Sequence, residues 1–189
     1  MKTILFFSFL FMSTLPASAQ RYVADSQQSK LTWTGHSEVG NYAPSGALQL
    51  QQGVFTVNGT QITQGRIDID MRTIQHDDDK MQTHLRGEDF FNAPKFPTAT
   101  FVLQQIKGNQ ASGLLTIKGV TKPVTFPIGV AAEGDALRIK GKATIDRTVF
   151  GIKYNSTSFF SGLGDYAIKN TFELAFDVVA RRGNTASNQ

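Results

Sequence analysis

Apolar residues recur at every second position along most of the chain after residue 30. The intervening positions are polar or charged, as at Arg66, Asp68 and Asp70. Strands with one apolar and one wet face are typical of antiparallel sheets, whereas strands of parallel sheets are buried on both faces. The pattern therefore predicts an antiparallel all-β domain of roughly eight strands. The apolar members of the alternating segments are Leu31, Trp33, Leu48, Leu50, Phe55, Val57, Ile67, Ile69, Met71, Phe101, Leu103, Leu115, Ile117, Val124, Phe126, Ile128, Leu137, Ile139, Ala143, Ile145, Phe172, Leu174, Phe176 and Val178.

Glycine-containing pairs separate most neighbouring segments and predict turns. They are Gln52-Gly53, Asn58-Gly59, Gly108-Asn109, Lys118-Gly119 and Gly134-Asp135. Turns at this spacing favour a meander of hairpins over long crossovers. Alternation alone is compatible with a closed barrel or a two-sheet sandwich, since both bury one face of every strand. Sequential hairpins favour an up-and-down eight-stranded barrel, whose interior can hold one elongated ligand when side chains do not fill it.

One helix is predicted, between Asp77 and Gly87. Three consecutive aspartates supply the negative charge favoured at a helix N-terminus, and Gly87 can end the helix. Met81, His84 and Leu85 share one helical face. A pair of phenylalanines and two prolines follow before the next strand, so the segment predicts a helix that plugs or covers one end of the barrel.

The first nineteen residues predict a cleaved signal peptide. A basic Lys2 precedes an apolar run, and Ala17-Ser18-Ala19 has the small-x-small arrangement of a cleavage site. A membrane anchor would need about 20 apolar residues, more than this interrupted run provides. We therefore expect residues 1–19 to be removed, a periplasmic domain over residues 20–180, and a disordered polar tail at residues 181–189.

Composition narrows the classes of function. The chain contains no cysteine, which excludes thiol chemistry, and its net charge of +4 comes without a basic stripe interleaved with aromatics, so no nucleic-acid partner is expected. The segment His76-Asp77-Asp78-Asp79 resembles a metal cluster, but the glycine and distal glutamate of a calcium loop are missing, and helix capping explains it better. We predict no catalytic residue, no metal and no cofactor. A hydrolase or isomerase acting on lipid, and a structural module with a packed core, remain as alternatives.

Three motifs occur in order along the chain. His84-Leu85 is followed by Asp89-Phe90-Phe91, residues 113–124 read GLLTIKGVTKPV, and Asp146-Arg147 precedes Phe150-Gly151. Together they resemble the YceI-like family of bacterial periplasmic proteins over residues 22–179. The resemblance implies a lipocalin-like barrel that carries a polyisoprenoid, an isoprenoid quinone or a similar lipid, and a homodimer like that seen among family members.

Eleven of the fifteen phenylalanines lie outside the predicted signal peptide, an aromatic content that suits an apolar lining or an ordinary core. A bound isoprenoid or fatty-acid-derived lipid would be a ligand held mainly by burial of its tail. The candidates for contact with the tail are Phe55, Met71, Phe90, Phe91, Phe101, Phe126, Phe150, Phe172 and Phe176.

A headgroup such as a phosphate, quinone or amide would need hydrogen-bond donors at the mouth. The candidates lie beside the motifs and are His84, Arg86, Arg147, Lys153 and Tyr154. Two have structural alternatives: Arg147 could pair with Asp146 or another acid, and His84 could bridge the helix to backbone carbonyls.

The polar and glycine-rich loop at residues 155–165 carries Phe159 and Phe160. Exposed paired aromatics usually mark a contact surface. A lid over the barrel mouth or a homodimer interface ranks above a transient membrane contact.

Overall fold

The computed structural model describes residues 19–183, which form nine strands and one α-helix. The predicted signal peptide falls almost wholly on residues 1–18, outside the described residues, and stays a prediction. No helix within the described range is long and apolar enough to cross a membrane. The elements are β1 Gln20–Ala24, β2 Lys30–Thr34, β3 Ser45–Asn58, β4 Gln61–Asp70, α1 Asp79–Arg86, β5 Thr98–Lys107, β6 Gln110–Ile117, β7 Val120–Glu133, β8 Ala136–Asp146 and β9 Thr171–Arg182.

The strands close into an antiparallel up-and-down barrel. From β3 to β9 each strand pairs with the next one along the chain. Strands β1 and β2 both lie between β3 and β9, so they fill one position of the barrel in succession. The turn between them is held by Asp25, whose carboxylate accepts bonds from the backbone N–H groups of Gln27 and Gln28. Nine strands therefore make a closed barrel of eight positions, which confirms the predicted fold.

A bulge in β3 explains why its apolar positions change parity. Leu48 and Leu50 face inward, and so do Phe55 and Val57, because the register with β4 shifts between Leu50 and Gln52. The prediction of a turn at Gln52-Gly53 is wrong, since β3 continues through this pair as one strand of 14 residues. The other four predicted turns connect hairpins, and Lys118 and Gly119 both have positive φ, as a tight two-residue hairpin turn requires.

The two ends of the barrel differ. The turn end carries the short connections at residues 59–60, 108–109 and 134–135. The lid end carries the long ones, at residues 35–44, 71–97 and 147–170, together with the tight turn at residues 118–119.

Helix α1 lies at the lid end and begins and ends as predicted. The carboxylate of Asp78 accepts bonds from the backbone N–H groups of Lys80 and Met81, which caps the helix and lowers the pKa of Asp78. Gly87 ends the helix, and Leu85 is its buried residue. The acidic segment is therefore a helix cap.

Strand β9 continues two residues beyond residue 180, where the predicted domain ends. Arg181 and Arg182 belong to β9 and pair with Val23 and Tyr22 of β1, because closure of the barrel needs this last stretch of ladder. Residues 184–189 of the predicted disordered tail lie outside the described residues.

Candidate functional site

The half of the barrel next to the turn end encloses a cavity of about 100 Å³. Among residues 19–183, no polar side chain lines this inner cavity. Four of the nine residues predicted to contact a lipid tail are in its wall: Phe55, Phe101, Phe126 and Phe176. The last three are only partly buried although they face inward, because the interior beside them is not filled.

A second cavity of about 80 Å³, the middle cavity, lies between the inner cavity and α1. It shares wall residues with the inner cavity, among them Ile69 and Leu174, so the two spaces follow one another along the barrel. Four more predicted tail contacts line it: Met71, Phe90, Phe91 and Phe172.

Phe150 lines neither cavity. It belongs to a single 3-10 turn at Thr148–Phe150, after β8 has ended, and is only 1% exposed. Because this turn directs its ring into the packed core, the geometry gives no support to the predicted ligand contact of Phe150.

A third space of about 300 Å³, the mouth, opens at the lid end. It shares Trp33, Phe90 and Ile168 with the middle cavity, so the three spaces lie in series along the barrel, and together they are called the channel here. His84 and Tyr154, both predicted head contacts, lie in the mouth wall with their ring centroids 4.5 Å apart. The His84 ring also meets Phe90 edge-on at 5.0 Å, and its Nε2 lies 3.4 Å from the carboxylate of Asp89. The alternative that His84 bridges the helix to backbone carbonyls is therefore wrong.

Arg147 lies deeper, in the wall of the middle cavity, and is 4% exposed. Its guanidinium donates to the backbone carbonyls of Ile152, Ile168 and Lys169 at 2.9–3.0 Å. Burial lowers the pKa of this guanidinium, and the charge of Asp146 opposes the shift in part. Within the described residues no carboxylate forms an ion pair with Arg147, so the expected pairing with an acid is wrong. Asp146 accepts from Thr148 instead, and carbonyl dipoles hold the buried charge.

Two predicted head contacts lie off the channel. Arg86 donates to the carbonyl of Ile74 at 2.8 Å and lines none of the three spaces. Lys153 sits over the Phe159 ring at 4.6 Å and faces a separate surface hollow. Phe159 and Phe160 are 47% and 50% exposed, and their contact with a lid, a second copy or a membrane stays a prediction.

Comparison with known proteins identifies the family. The model of the YceI-like domain matches residues 22–180. The chain belongs to the YceI-like family. A relative described as a UPF0312 protein from Pseudomonas aeruginosa is 36% identical over 98 residues, 47% of this chain and 51% of the relative, so the chain spans about half the length of that protein. Another UPF0312 protein, from Shewanella oneidensis, is 29% identical over 153 residues, 74% of this chain and 80% of the relative.

Solved structures share the YceI-like barrel. A polyisoprenoid binding domain from Saccharophagus degradans superposes with a TM-score of 0.65 at 12% identity, covering 89% of this chain and all of that one. Burkholderia cenocepacia BcnA gives a TM-score of 0.64 at 24% identity, covering 82% of this chain and 98% of that one. At these identities the likeness shows the fold alone.

Three residues that line the channel of this YceI-like protein were not among the site residues predicted from the sequence. Trp33 lines the middle cavity and the mouth, and its indole N–H donates to the carbonyl of Gln75 at 3.0 Å. Its position in a strand with alternating apolar residues could have predicted that it faces the interior. Tyr42 of the mouth comes from an irregular loop and Tyr166 from a single 3-10 turn at Gly164–Tyr166, and in neither does periodicity mark the direction of the side chain.

Proposed function

We propose that this YceI-like protein is a periplasmic carrier that binds one isoprenoid or other long-chain amphiphile in the channel, without chemical conversion. The observation that supports the proposal is the inner cavity, which is unfilled, lined by apolar residues and followed toward the lid end by the middle cavity and the mouth. A cavity without polar partners holds water poorly and takes apolar ligands instead.

The distribution of polar groups gives the ligand a direction. Burial of a tail gains about 0.8 kcal/mol per CH₂ group, and the inner cavity offers only apolar surface for it. A polar headgroup placed there would lose its hydrogen bonds to water without replacement. The head therefore belongs near the lid end, where Arg147 borders the middle cavity and His84 and Tyr154 border the mouth.

The comparisons support the binding class. A domain described as binding polyisoprenoids has the same fold, and the family supports a binding role over a catalytic one. Within the described residues there is no cluster of three or more His, Asp or Glu side chains that could hold a metal ion. Export to the periplasm rests on the signal-like N-terminal segment.

Native mass spectrometry of protein purified without detergent tests the proposal, followed by organic extraction of anything bound. We expect a discrete adduct with the mass of a prenyl or acyl compound, recovered unchanged after prolonged incubation. A bare protein mass would contradict the proposal, and conversion of the extracted compound during incubation would favour an enzyme.

Two neighbouring residues of β5 provide a matched pair of variants. Phe101 lines the inner cavity, whereas Val102 is 38% exposed on the outer face. Phe101→Asn places an amide in the apolar wall and should lower the retained lipid by about tenfold or more, because the amide has no partner there. Val102→Asn should retain as much lipid as the wild type. Equal retention by the two folded variants would contradict the assigned channel.

A further inference from the structure

Three of the phenylalanines around the inner cavity lie against an inward-facing glycine on an adjacent strand. Gly65 is the direct cross-strand partner of Phe55, and Gly141 is the partner of Phe176. A Cβ atom on Gly65 would lie 3.0 Å from Cδ1 of Phe55. A Cβ atom on Gly141 would meet Cζ of Phe176 and would also lie 2.5 Å from the backbone carbonyl oxygen of Pro127.

The third pair is diagonal. A Cβ atom on Gly113 of β6 would lie 2.6 Å from Cζ of Phe101 on β5. The fourth phenylalanine of the cavity, Phe126, packs between two of these rings, with centroids 5.1 Å from Phe101 and 5.6 Å from Phe176. All four rings are thus placed by a glycine, directly or through one neighbour.

The pairs have a simple steric consequence. A Cβ atom on Gly65 would crowd the Phe55 ring and displace it by a few tenths of an ångström. A Cβ atom on Gly113 or Gly141 would crowd the ring of Phe101 or Phe176 and also a backbone carbonyl. Each glycine therefore provides a recess in the wall that accommodates the neighbouring ring. The cavity remains open because its largest side chains are held against the wall.

We propose that these glycine–phenylalanine pairs set the cross-section of the channel and so select ligands by the width of the tail. The inference rests on the proposed function and narrows its ligand class. Chains that are slender or carry small methyl branches fit, and tails with fused rings do not. Gly65, Gly113 and Gly141 are specificity-determining residues that contribute no side chain to the contact.

Gly65→Ala is the cleanest test, because the nearest atoms within 3.4 Å of the new Cβ belong to the side chains of Phe55 and Leu103. At Gly113 the new Cβ would meet the backbone carbonyl of Val102, so that variant would disturb the strand itself. Gly129→Ala is the matched control, since Gly129 is also a strand glycine and nothing lies within 4 Å of its Cβ position.

The probes are farnesol, a methyl-branched prenyl alcohol, and dodecan-1-ol, the straight chain of the same backbone length. Their affinities are measured by titration calorimetry on lipid-free protein whose melting temperature has been recorded. We expect Gly65→Ala to weaken farnesol by about tenfold and dodecan-1-ol by less than about threefold, since small apolar groups discriminate over this range. Gly129→Ala should change neither affinity.

The double variant Gly65→Ala/Phe55→Leu should restore binding of farnesol, because the smaller side chain no longer needs the recess. Equal loss of both alcohols in Gly65→Ala, or loss that the double variant does not restore, overturns the inference and leaves the carrier function standing. Wild-type protein that binds neither alcohol overturns the carrier function and the inference with it.

Discussion

The two halves of the barrel interior have similar aromatic content and different cross-strand partners for their phenylalanines. Along the ladder between β8 and β9, Phe172 faces Ile145 toward the lid end, and Phe176 faces Gly141 toward the turn end. The residue between them, Leu174, faces Ala143. The side chain opposite thus shrinks from isoleucine to alanine to glycine, while the facing residue stays large. Each half contains a cavity, of about 80 Å³ toward the lid end and about 100 Å³ toward the turn end, and only in the turn half does a glycine lie opposite the phenylalanine ring.

The halves also differ in polarity. The lid half contains the buried Arg147, which ties three backbone carbonyls of the lid-end loop together. The described wall of the inner cavity contains apolar side chains and a glycine, with no polar side chain among them. The lid half therefore offers a polar group to a bound molecule, and the turn half offers apolar surface.

The largest expected effect is at Phe150, which lines neither cavity. Phe150 is 1% exposed in the core, and Phe150→Ala should lower the free energy of unfolding by about 4 kcal/mol, since both ring burial and packing are lost. Phe176→Ala should cost at least about 1 kcal/mol less, because its ring already borders an unfilled space. Urea denaturation of lipid-free protein gives both values. Equal losses in the free energy of unfolding would contradict the view that the Phe150 ring is fully packed and the Phe176 ring borders an unfilled space.

Much of this architecture could be predicted from the sequence. Alternation and turn pairs predicted the antiparallel barrel, and the aspartate run predicted the capped helix. The sequence did not distinguish Phe150 from Phe176, because the distinction depends on what lies opposite. Gly141 and Phe176 become partners only through the register of two strands.

Two other features of the structure were not predicted from the sequence, because they depend on how backbone groups pair in the folded chain. The bulge after Leu50 reverses which residues face inward, and an alternating pattern with a turn-like Gln52-Gly53 pair conceals it. The partners of Arg147 are carbonyls, which every residue carries, so no residue type signals them.

The second effect concerns the lid half. Arg147→Met removes three hydrogen bonds and leaves buried carbonyls without a donor, which should cost about 3 kcal/mol. Arg147→Lys should recover little, because one ammonium cannot reproduce the fork of donors. Hydrogen exchange should show the loss concentrated in residues 147–170.

Lys142→Met is the control on the outer surface, where Lys142 pairs with Glu173 at 3.0 Å and is 56% exposed. It should cost less than about 1 kcal/mol. A small cost for Arg147→Met would mean that the lid half does not depend on its buried charge.

The smallest effect concerns the outer face of the wall around the inner cavity. Asp68 lies on β4 between Ile67 and Ile69, which line that cavity. Its side chain is 4% exposed and accepts bonds from Gln52 on β3 and Thr100 on β5, both at 2.6 Å. Since the interior beside it is unfilled, we expect these outer bonds to contribute to holding the three strands together.

The pH dependence follows from the direction of the pKa shift. Burial of Asp68 favours the neutral carboxyl, but hydrogen bonds from Thr100, Gln52 and Arg66 outweigh it and lower the pKa. A lowered pKa in the folded state stabilises the fold above the unfolded-state value of about 3.9 and loses that effect as the pH falls through the folded-state value. Asp68→Asn should therefore cost about 2 kcal/mol at neutral pH and progressively less below about pH 4.

Denaturant titrations at neutral and acidic pH test this prediction, with Asp165→Asn as the control. Asp165 is exposed on a lid-end loop, and within the described residues its side chain makes no hydrogen bond or ion pair. Its replacement should leave the free energy of unfolding unchanged at every pH. If the penalty of Asp68→Asn persists undiminished in acid, the ionised carboxylate is not what stabilises the wall. The wall of the inner cavity would then be held together by its backbone hydrogen bonds. A ligand bound in that cavity should in this case contribute correspondingly more to the stability of the wall.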